Sequence, residues 1–141
     1  MALSANTDYS LSGGDILRLP LKASEAPHQG SALGRDSSGY VRKLVAGDPF
    51  VGFCRQQIED APAANGDKYA EAKAGVFVGR VPLSGVAIAD AATHAKVYMS
   101  DDGTFTKIST DNSLVGTIIG VVSTGIALVR FVTNDVAGVS I

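Results

Sequence analysis

The sequence predicts a single all-β domain of the barrel or sandwich type, and three observations lead to this prediction. The chain has 141 residues, which suits one domain with one core. Its 16 glycines separate short runs of Val, Ile, Leu and Phe. These breaks recur roughly every eight to twelve residues, a spacing typical of strands and turns in all-β folds. A segment with alternating strand-like and turn-like parts is also repeated within the chain.

The strand pattern places a compact β domain in residues 15–141, after an N-terminal segment, residues 1–14, of different character. The predicted strands are residues 16–22, 31–35, 40–44, 50–56, 69–77, 80–87, 95–99, 104–108, 115–122 and 126–132.

Residues 67–74, DKYAEAKA, give conflicting signals. Ala, Glu and Lys favour a helix. Three larger side chains, Tyr69, Glu71 and Lys73, nevertheless alternate strictly with alanines, which is the period of a strand. We favour a strand here and keep the helix as the alternative.

The repeat appears when the chain is compared with itself at an offset of 64 residues, which places residues 39–52 over residues 103–116 without a gap. Both copies read as a polar turn, a glycine, an alternating strand, a polar loop and an apolar strand ending in glycine. Two copies of one hairpin-and-strand unit predict a pseudo-symmetric β domain. The identical pairs are Gly39/Gly103, Lys43/Lys107, Val51/Val115 and Gly52/Gly116.

The adjacent carboxylates Asp101 and Asp102 precede a glycine and could form either a metal or acid/base site or a hairpin turn. In the first copy of the repeat their places are taken by Ser37 and Ser38. Since Asp and Ser both bond their own backbone in turns, the repeat predicts a turn at this position.

Charge and hydropathy argue against nucleic-acid and membrane partners. The chain carries 12 Lys and Arg against 14 Asp and Glu, without a basic cluster larger than Arg42-Lys43, whereas duplex binding relies on several cations along one face. Residues 112–129 are uncharged, but their glycines and β-branched residues favour two strands joined by a turn over a membrane-spanning helix.

The residues give little support for catalysis or for a cofactor. Cys54 lies in an apolar run and is predicted to be a buried, inert thiol. His28 and His94 lack the spacing of zinc ligands and are predicted to lie in turns or loops. The chain has no phosphate-binding glycine motif, and its aromatic content of 6% offers little material for a pocket. We therefore expect no enzyme activity, no cofactor and no metal.

Residues 1–14 are polar and end in Gly13-Gly14, with Leu3, Tyr9 and Leu11 as the larger apolar side chains. This composition predicts an extended arm outside the core, and a disordered tail is the alternative. By alternation, Tyr9 and Leu11 share one face of an extended chain, with Leu3 as a further anchor.

Four motifs follow one another in the second half: residues 75–83 (GVFVGRVPL), residues 95–103 (AKVYMSDDG), residues 114–116 (LVG) and residues 127–132 (ALVRFV). In this order they resemble the small capsid decoration, or cement, proteins of tailed bacteriophages. The resemblance runs from about residue 16 to residue 133. The chain departs from shorter members of that family in the polar residues 57–68 and in residues 24–34.

The resemblance implies a β-barrel of the β-tulip type, no cofactor and no reaction. It implies that the major capsid protein is the partner, that the chain forms a homo-oligomer, most often a trimer, and that it is made in the host cytoplasm and sits on the capsid exterior of the virion. Leu3, Tyr9 and Leu11 of the arm are then the expected capsid-binding residues. A virion fibre or receptor-binding module, and a small ligand-binding barrel or enzyme, are the alternatives.

Overall fold

One curled antiparallel sheet forms a half-barrel at the centre of the structure, a computed structural model that describes residues 2–134. Within that range the chain forms nine strands and one short helix. They are β1 (Ser12–Pro20), β2 (Ala32–Arg35), β3 (Val41–Lys43), β4 (Phe50–Cys54), β5 (Tyr69–Pro82), α1 (Ile88–Ala92), β6 (Lys96–Met99), β7 (Phe105–Thr106), β8 (Ser113–Ser123) and β9 (Ile126–Val132).

Strand β5 joins the two halves of the sheet. The strands are ordered β3-β2-β4-β5-β9-β8-β6-β7, and β1 pairs with β5 beside this path. β5 has 14 residues, so that β4 and β9 pair with successive parts of one of its edges while β1 pairs with the other edge. The predicted all-β, barrel-like fold is therefore confirmed. Residues 135–141 of the predicted domain lie outside the described residues.

Most of the predicted strands are present, with ends that differ by a few residues. The last one, Ile126–Val132, has the predicted bounds. Residues 112–129, which were predicted as two strands, contribute to β8 and β9. From Tyr69 onward the ambiguous segment is a strand, with Ala70, Ala72 and Ala74 fully buried.

Two details of the secondary structure were predicted wrongly. The predicted strands 69–77 and 80–87 form the single strand β5, because Gly79 lies against Leu11 and Phe131 and is part of the ladder. Helix α1 was missed because five residues are too few to show a helical period. Its first turn is closed by the Asp90 carboxylate, which accepts the Ala87 N–H at 2.8 Å.

The predicted repeat is confirmed by the pairing of the strands and extends beyond the residues that revealed it. We call residues 32–54 the first copy and residues 96–118 the second copy. β2 and β6 begin and end 64 positions apart, at Ala32/Lys96 and Arg35/Met99. In each copy this strand pairs with a short strand on one side and a longer strand on the other.

Even the irregularity of the ladder is repeated. The register between β2 and β4 shifts between Leu33 and Gly34, and the register between β6 and β8 shifts between Val97 and Tyr98, which are the equivalent positions. Next to each shift lies a glycine of the repeat. A Cβ at Gly52 would collide with the carbonyl oxygen of Lys73, and a Cβ at Gly116 would collide with that of Arg130.

The buried residues form a main cluster and a smaller one. The smaller cluster contains Leu21, Leu33, Val41, Val51, Cys54, Ala70 and Ala72. The main cluster is built around aromatic rings, with Phe53 in contact with Tyr9, Phe50, Phe77, Phe105 and Phe131 at centroid distances of 4.9–6.1 Å.

The two copies bury different sets of side chains. Leu33, Val41 and Val51 of the first copy, and their equivalents Val97, Phe105 and Val115 in the second, are all buried. The first copy also buries Ala32, Phe50 and Phe53, whose equivalents Lys96, Leu114 and Thr117 are partly or fully exposed. The same backbone pattern is thus covered by protein on both faces in the first copy and on one face in the second.

We predict that Gly116→Ala lowers the free energy of unfolding by about 2–3 kcal/mol, because the added methyl group meets the main chain of β9, which cannot yield as a side chain can. Urea denaturation measures the change. Gly120→Ala on the same strand is the control, since its Cβ would meet only Leu128 side-chain atoms at 3.5 and 3.6 Å. Equal losses for the two variants would contradict the tight packing at Gly116.

Candidate functional site

The N-terminal segment, residues 2–11, is attached to the barrel along its length. The Leu3 N–H donates to Asp102 Oδ1 at 3.1 Å, and the Thr7 N–H donates to the Gln29 carbonyl at 2.9 Å. Near its end, the Tyr9 carbonyl accepts the Arg80 N–H at 2.8 Å. The segment therefore runs onto β5 and leads into β1.

Side chains of the segment also pack into the fold. Tyr9 is only 6% exposed, and its ring lies 5.4 Å from Phe53 and 5.3 Å from Phe105 in edge-to-face geometry. Leu11 is half-buried against the main cluster, and Leu3 lies against Gly103. Burial raises the pKa of the Tyr9 phenol to about 12, with a smaller contribution from the Asp102 and Asp101 carboxylates.

These contacts correct the prediction that residues 1–14 lie outside the core. Tyr9 belongs to the main cluster, and Ser12, Gly13 and Gly14 belong to β1. The prediction failed because residues 1–14 contain only three larger apolar side chains, which are too few to indicate burial in a core. Its partners, Phe53 and Phe105, come from both copies of the repeat and lie far away along the chain.

Asp101 and Asp102 have different roles. Asp101 bends the hairpin as predicted, accepting the Gly103 N–H at 2.9 Å and the Thr104 hydroxyl at 3.2 Å. Its partial burial alone would raise the pKa, but these hydrogen bonds outweigh it and the pKa is lowered. The turn prediction is thus correct for Asp101.

For Asp102 the turn prediction is incomplete. Its side chain is buried, with an exposed fraction of 2%, and accepts hydrogen bonds from the Leu3 N–H and from the Ser31 hydroxyl at 2.8 Å. Its carbonyl accepts the Ala32 N–H at 2.9 Å, at the start of β2. Asp102 therefore joins the N-terminal segment, the first copy and the second copy.

The comparison with the first copy misled the prediction for Asp102. In the first copy the turn carboxylate is Asp36, which accepts the N–H groups of Ser38 and Tyr40 and pairs with Lys22 at 2.6 Å. Among the described residues, the hydroxyl of Ser38, the equivalent of Asp102, bonds to Asp36 instead of to the N-terminal segment. Comparing the two copies predicts only the features that both share, and the contacts of the Asp102 side chain occur in the second copy alone.

Ser31, Asp102 and His28 lie close together, but their hydrogen bonds are structural. The Ser31 hydroxyl donates directly to the Asp102 carboxylate and accepts the main-chain N–H of His28 at 3.0 Å. A catalytic triad instead places the imidazole between serine and carboxylate. The buried His28 Nδ1 has no hydrogen-bond partner within residues 2–134.

The remaining candidate residues lie where the sequence indicated. Cys54 is buried, its thiol donates to the Gln56 carbonyl, and burial raises its pKa, which disfavours the reactive thiolate. His94 occupies the turn after α1 with φ 52°. His28 precedes the turn at residues 29–30. In the described range, no three His, Cys, Asp or Glu side chains are grouped so that they could hold a metal ion.

A groove of about 820 Å³ is polar and carries balanced charge. Its cations are Arg18, Arg55 and Lys68, and its carboxylates are Glu59, Asp60 and Glu71. Arg18 stacks on the Tyr69 ring at 5.1 Å, and Arg55 pairs with Glu71 at 3.6 Å. Lys68 donates to the main-chain carbonyl of Asp60, so each of the three cations has a partner within the protein.

Comparison of the chain with protein-family models, with curated proteins and with solved structures finds no match. In the part of the chain that the structure describes, no helix has the length and apolar character needed to cross a bilayer.

We predict that Asp102→Ala lowers the free energy of unfolding by about 2–3 kcal/mol, because it leaves the buried Ser31 hydroxyl and the Leu3 N–H without their acceptor. Asp101→Ala, the neighbouring control, should cost about 1 kcal/mol or less, the scale of a turn contact. Chemical denaturation of both variants tests this contrast, and a loss at Asp101 as large as that at Asp102 would contradict it.

Proposed function

We propose that this protein is a structural virion protein that binds the outer surface of a phage capsid and stabilises it by bridging neighbouring major capsid subunits. In this role it has no cofactor and catalyses no reaction, and it acts on the capsid exterior after synthesis in the host cytoplasm.

The observation that carries the proposal is the arrangement of the four motifs on which the resemblance rests. Residues 75–83, 95–103, 114–116 and 127–132 fall on β5, β6, β8 and β9. These strands are consecutive in the sheet, in the order β5-β9-β8-β6. Motifs that are scattered in sequence thus form one continuous surface, as a shared structural unit requires.

The framework of the domain also suits a bracing role. A protein that stabilises a shell must resist deformation, and here residues of both copies and of the N-terminal segment meet in one aromatic cluster. Close packing of this kind leaves little freedom for rearrangement.

Leu3, Tyr9 and Leu11, the expected capsid-binding residues of the arm, have a different role in this proposal. With Tyr9 buried and Leu3 and Leu11 packed on the barrel, these side chains hold the N-terminal segment in position. Contact with the capsid by this segment would then come from its exposed positions, such as Ala2, Ser4 and Ala5.

We further propose that the protein acts as a homotrimer. A trimer matches the local threefold positions of an icosahedral lattice, and three simultaneous attachments give a large gain in avidity over one.

Electron cryo-microscopy of particles from the virus whose genome encodes this chain tests the proposal. We expect density for the barrel on the shell lattice, in groups of three, and a lower melting temperature for shells made without the protein. Density confined to the tail or spikes would favour a fibre or receptor-binding module. Absence from purified particles would overturn the proposal.

A further inference from the structure

Four adjacent strands present a face that points away from the main cluster, and its side chains are partly or fully exposed. Its residues alternate with the buried positions of β6, β8, β9 and the second half of β5. We call this surface the outer face and define it by Lys96, Thr117, Arg130, Val78, Leu128 and Arg80.

The pairing of the strands fixes the layout of the outer face. Lys96, Thr117, Arg130 and Val78 lie side by side across the four strands. Four neighbouring strands span roughly 14 Å. Leu128 and Arg80 form the next row. Arg80 and Arg130 are therefore diagonal neighbours on adjacent strands, and such neighbours are about 7–8 Å apart in the main chain.

The first copy of the repeat shows what can cover these positions. The equivalents of Lys96 and Thr117 are Ala32 and Phe53, which are fully buried in the main cluster by the rest of the protein. The same positions on the same backbone pattern thus pack against protein in the first copy and are partly or fully exposed in the second. This contrast marks the outer face as a surface that can pack against another protein.

The charges of the outer face indicate the chemistry of the partner. Lys96, Arg80 and Arg130 are exposed, and within residues 2–134 none of them forms an ion pair. Within the same range Lys22, Arg42, Arg55 and Lys107 are paired with carboxylates, while cations elsewhere, such as Lys43 and Lys73, are also unpaired. The outer face holds three of the unpaired cations on neighbouring strands. The positions across from the three unpaired cations on neighbouring strands are Thr117, Val78 and Leu128, so the rows contain no acidic residue.

The rest of the molecule has the opposite charge. The whole chain carries −2, so without the +3 of the outer face the remainder carries −5. An acidic surface would therefore attract this face more strongly than the remainder of the molecule, which favours one orientation before contact.

Apolar side chains between the cations favour a protein over a nucleic acid as the partner. Val78 and Leu128 are half-buried and lie next to Arg130 in the sheet. An apolar centre with charged groups around it is typical of protein–protein interfaces. Binding a polynucleotide instead relies on a longer array of cations or on exposed aromatic rings that stack on the bases.

We infer that the outer face is the docking surface of this protein, and that it binds a protein surface that is apolar at its centre and carries carboxylates around it. This inference rests on the proposed function, under which that partner is the exterior of the capsid shell.

Binding to purified shells made without this protein tests the inference by co-sedimentation. The test variant Lys96→Gln/Arg130→Gln removes two cations of the outer face. The matched control Lys43→Gln/Lys73→Gln removes the same charge elsewhere, from β3 and from the side of β5 near Tyr9 and Leu11. A second test variant, Thr117→Glu, places a carboxylate between Lys96 and Arg130. Circular dichroism melting verifies that each variant is folded.

We expect both test variants to bind shells at least tenfold more weakly than the parent, and the control to bind within about twofold. Parent binding should weaken as the salt concentration rises, and less steeply in Lys96→Gln/Arg130→Gln. Parent binding that persists unchanged in both test variants overturns the inference and leaves the proposed function standing. A parent protein that does not bind shells overturns both. Binding of a single-stranded oligonucleotide that Lys96→Gln/Arg130→Gln abolishes would replace the protein partner with a nucleic acid.

Discussion

Contact between the rings of Tyr9, Phe53 and Phe105 is the interaction on which the rest of the structure depends. Phe53 comes from the first copy of the repeat, Phe105 comes from the second, and Tyr9 comes from the N-terminal segment. Each ring lies within about 6 Å of the other two, in geometries that favour aromatic pairs. Three parts of the chain that are distant in sequence therefore become one core, and Asp102 fastens the same three parts by hydrogen bonds.

The repeat explains how one backbone pattern serves two purposes. Both copies keep the register shift and the glycine that presses on the next strand, because these features are set by the main chain. Their side chains are free to differ. Phe50 and Phe53 of the first copy are buried at the centre of the fold. Their equivalents in the second copy, Leu114 and Thr117, are partly exposed. The surface that we assign to docking is thus a position of the repeat that the fold itself does not use.

The sequence was sufficient to predict features that repeat locally, and it failed for contacts made across the fold. Alternation revealed the strands, including the alanine-rich start of β5, and the 64-residue offset revealed both copies. The sequence could not reveal that Tyr9 is buried, since residues 1–14 hold only three larger apolar side chains, too few to distinguish a packed segment from an extended arm. Nor could it separate Asp101 from Asp102, because the second role of Asp102 depends on Ser31 and Leu3, which only folding brings near. The outer face became recognisable once the strand pairing was known.

Spectrophotometric titration of the tyrosines tests most directly whether the N-terminal segment is part of the core. Of the four tyrosines, Tyr9 should ionise near pH 12, because its neutral form is favoured by burial and by the Asp102 and Asp101 carboxylates. A pKa that is raised on folding stabilises the native state below the ordinary value of 10.0, and this contribution is lost as the pH rises from there to about 12. We expect the parent protein to show one late ionisation, near pH 12, that is absent in Tyr9→Phe. The free energy of unfolding of Tyr9→Phe should also fall less than that of the parent as the pH rises from 10.0 to about 12. Absence of this late transition, with Tyr9 ionising near pH 10 in the folded parent protein, would show that Tyr9 is solvated, and would contradict the account.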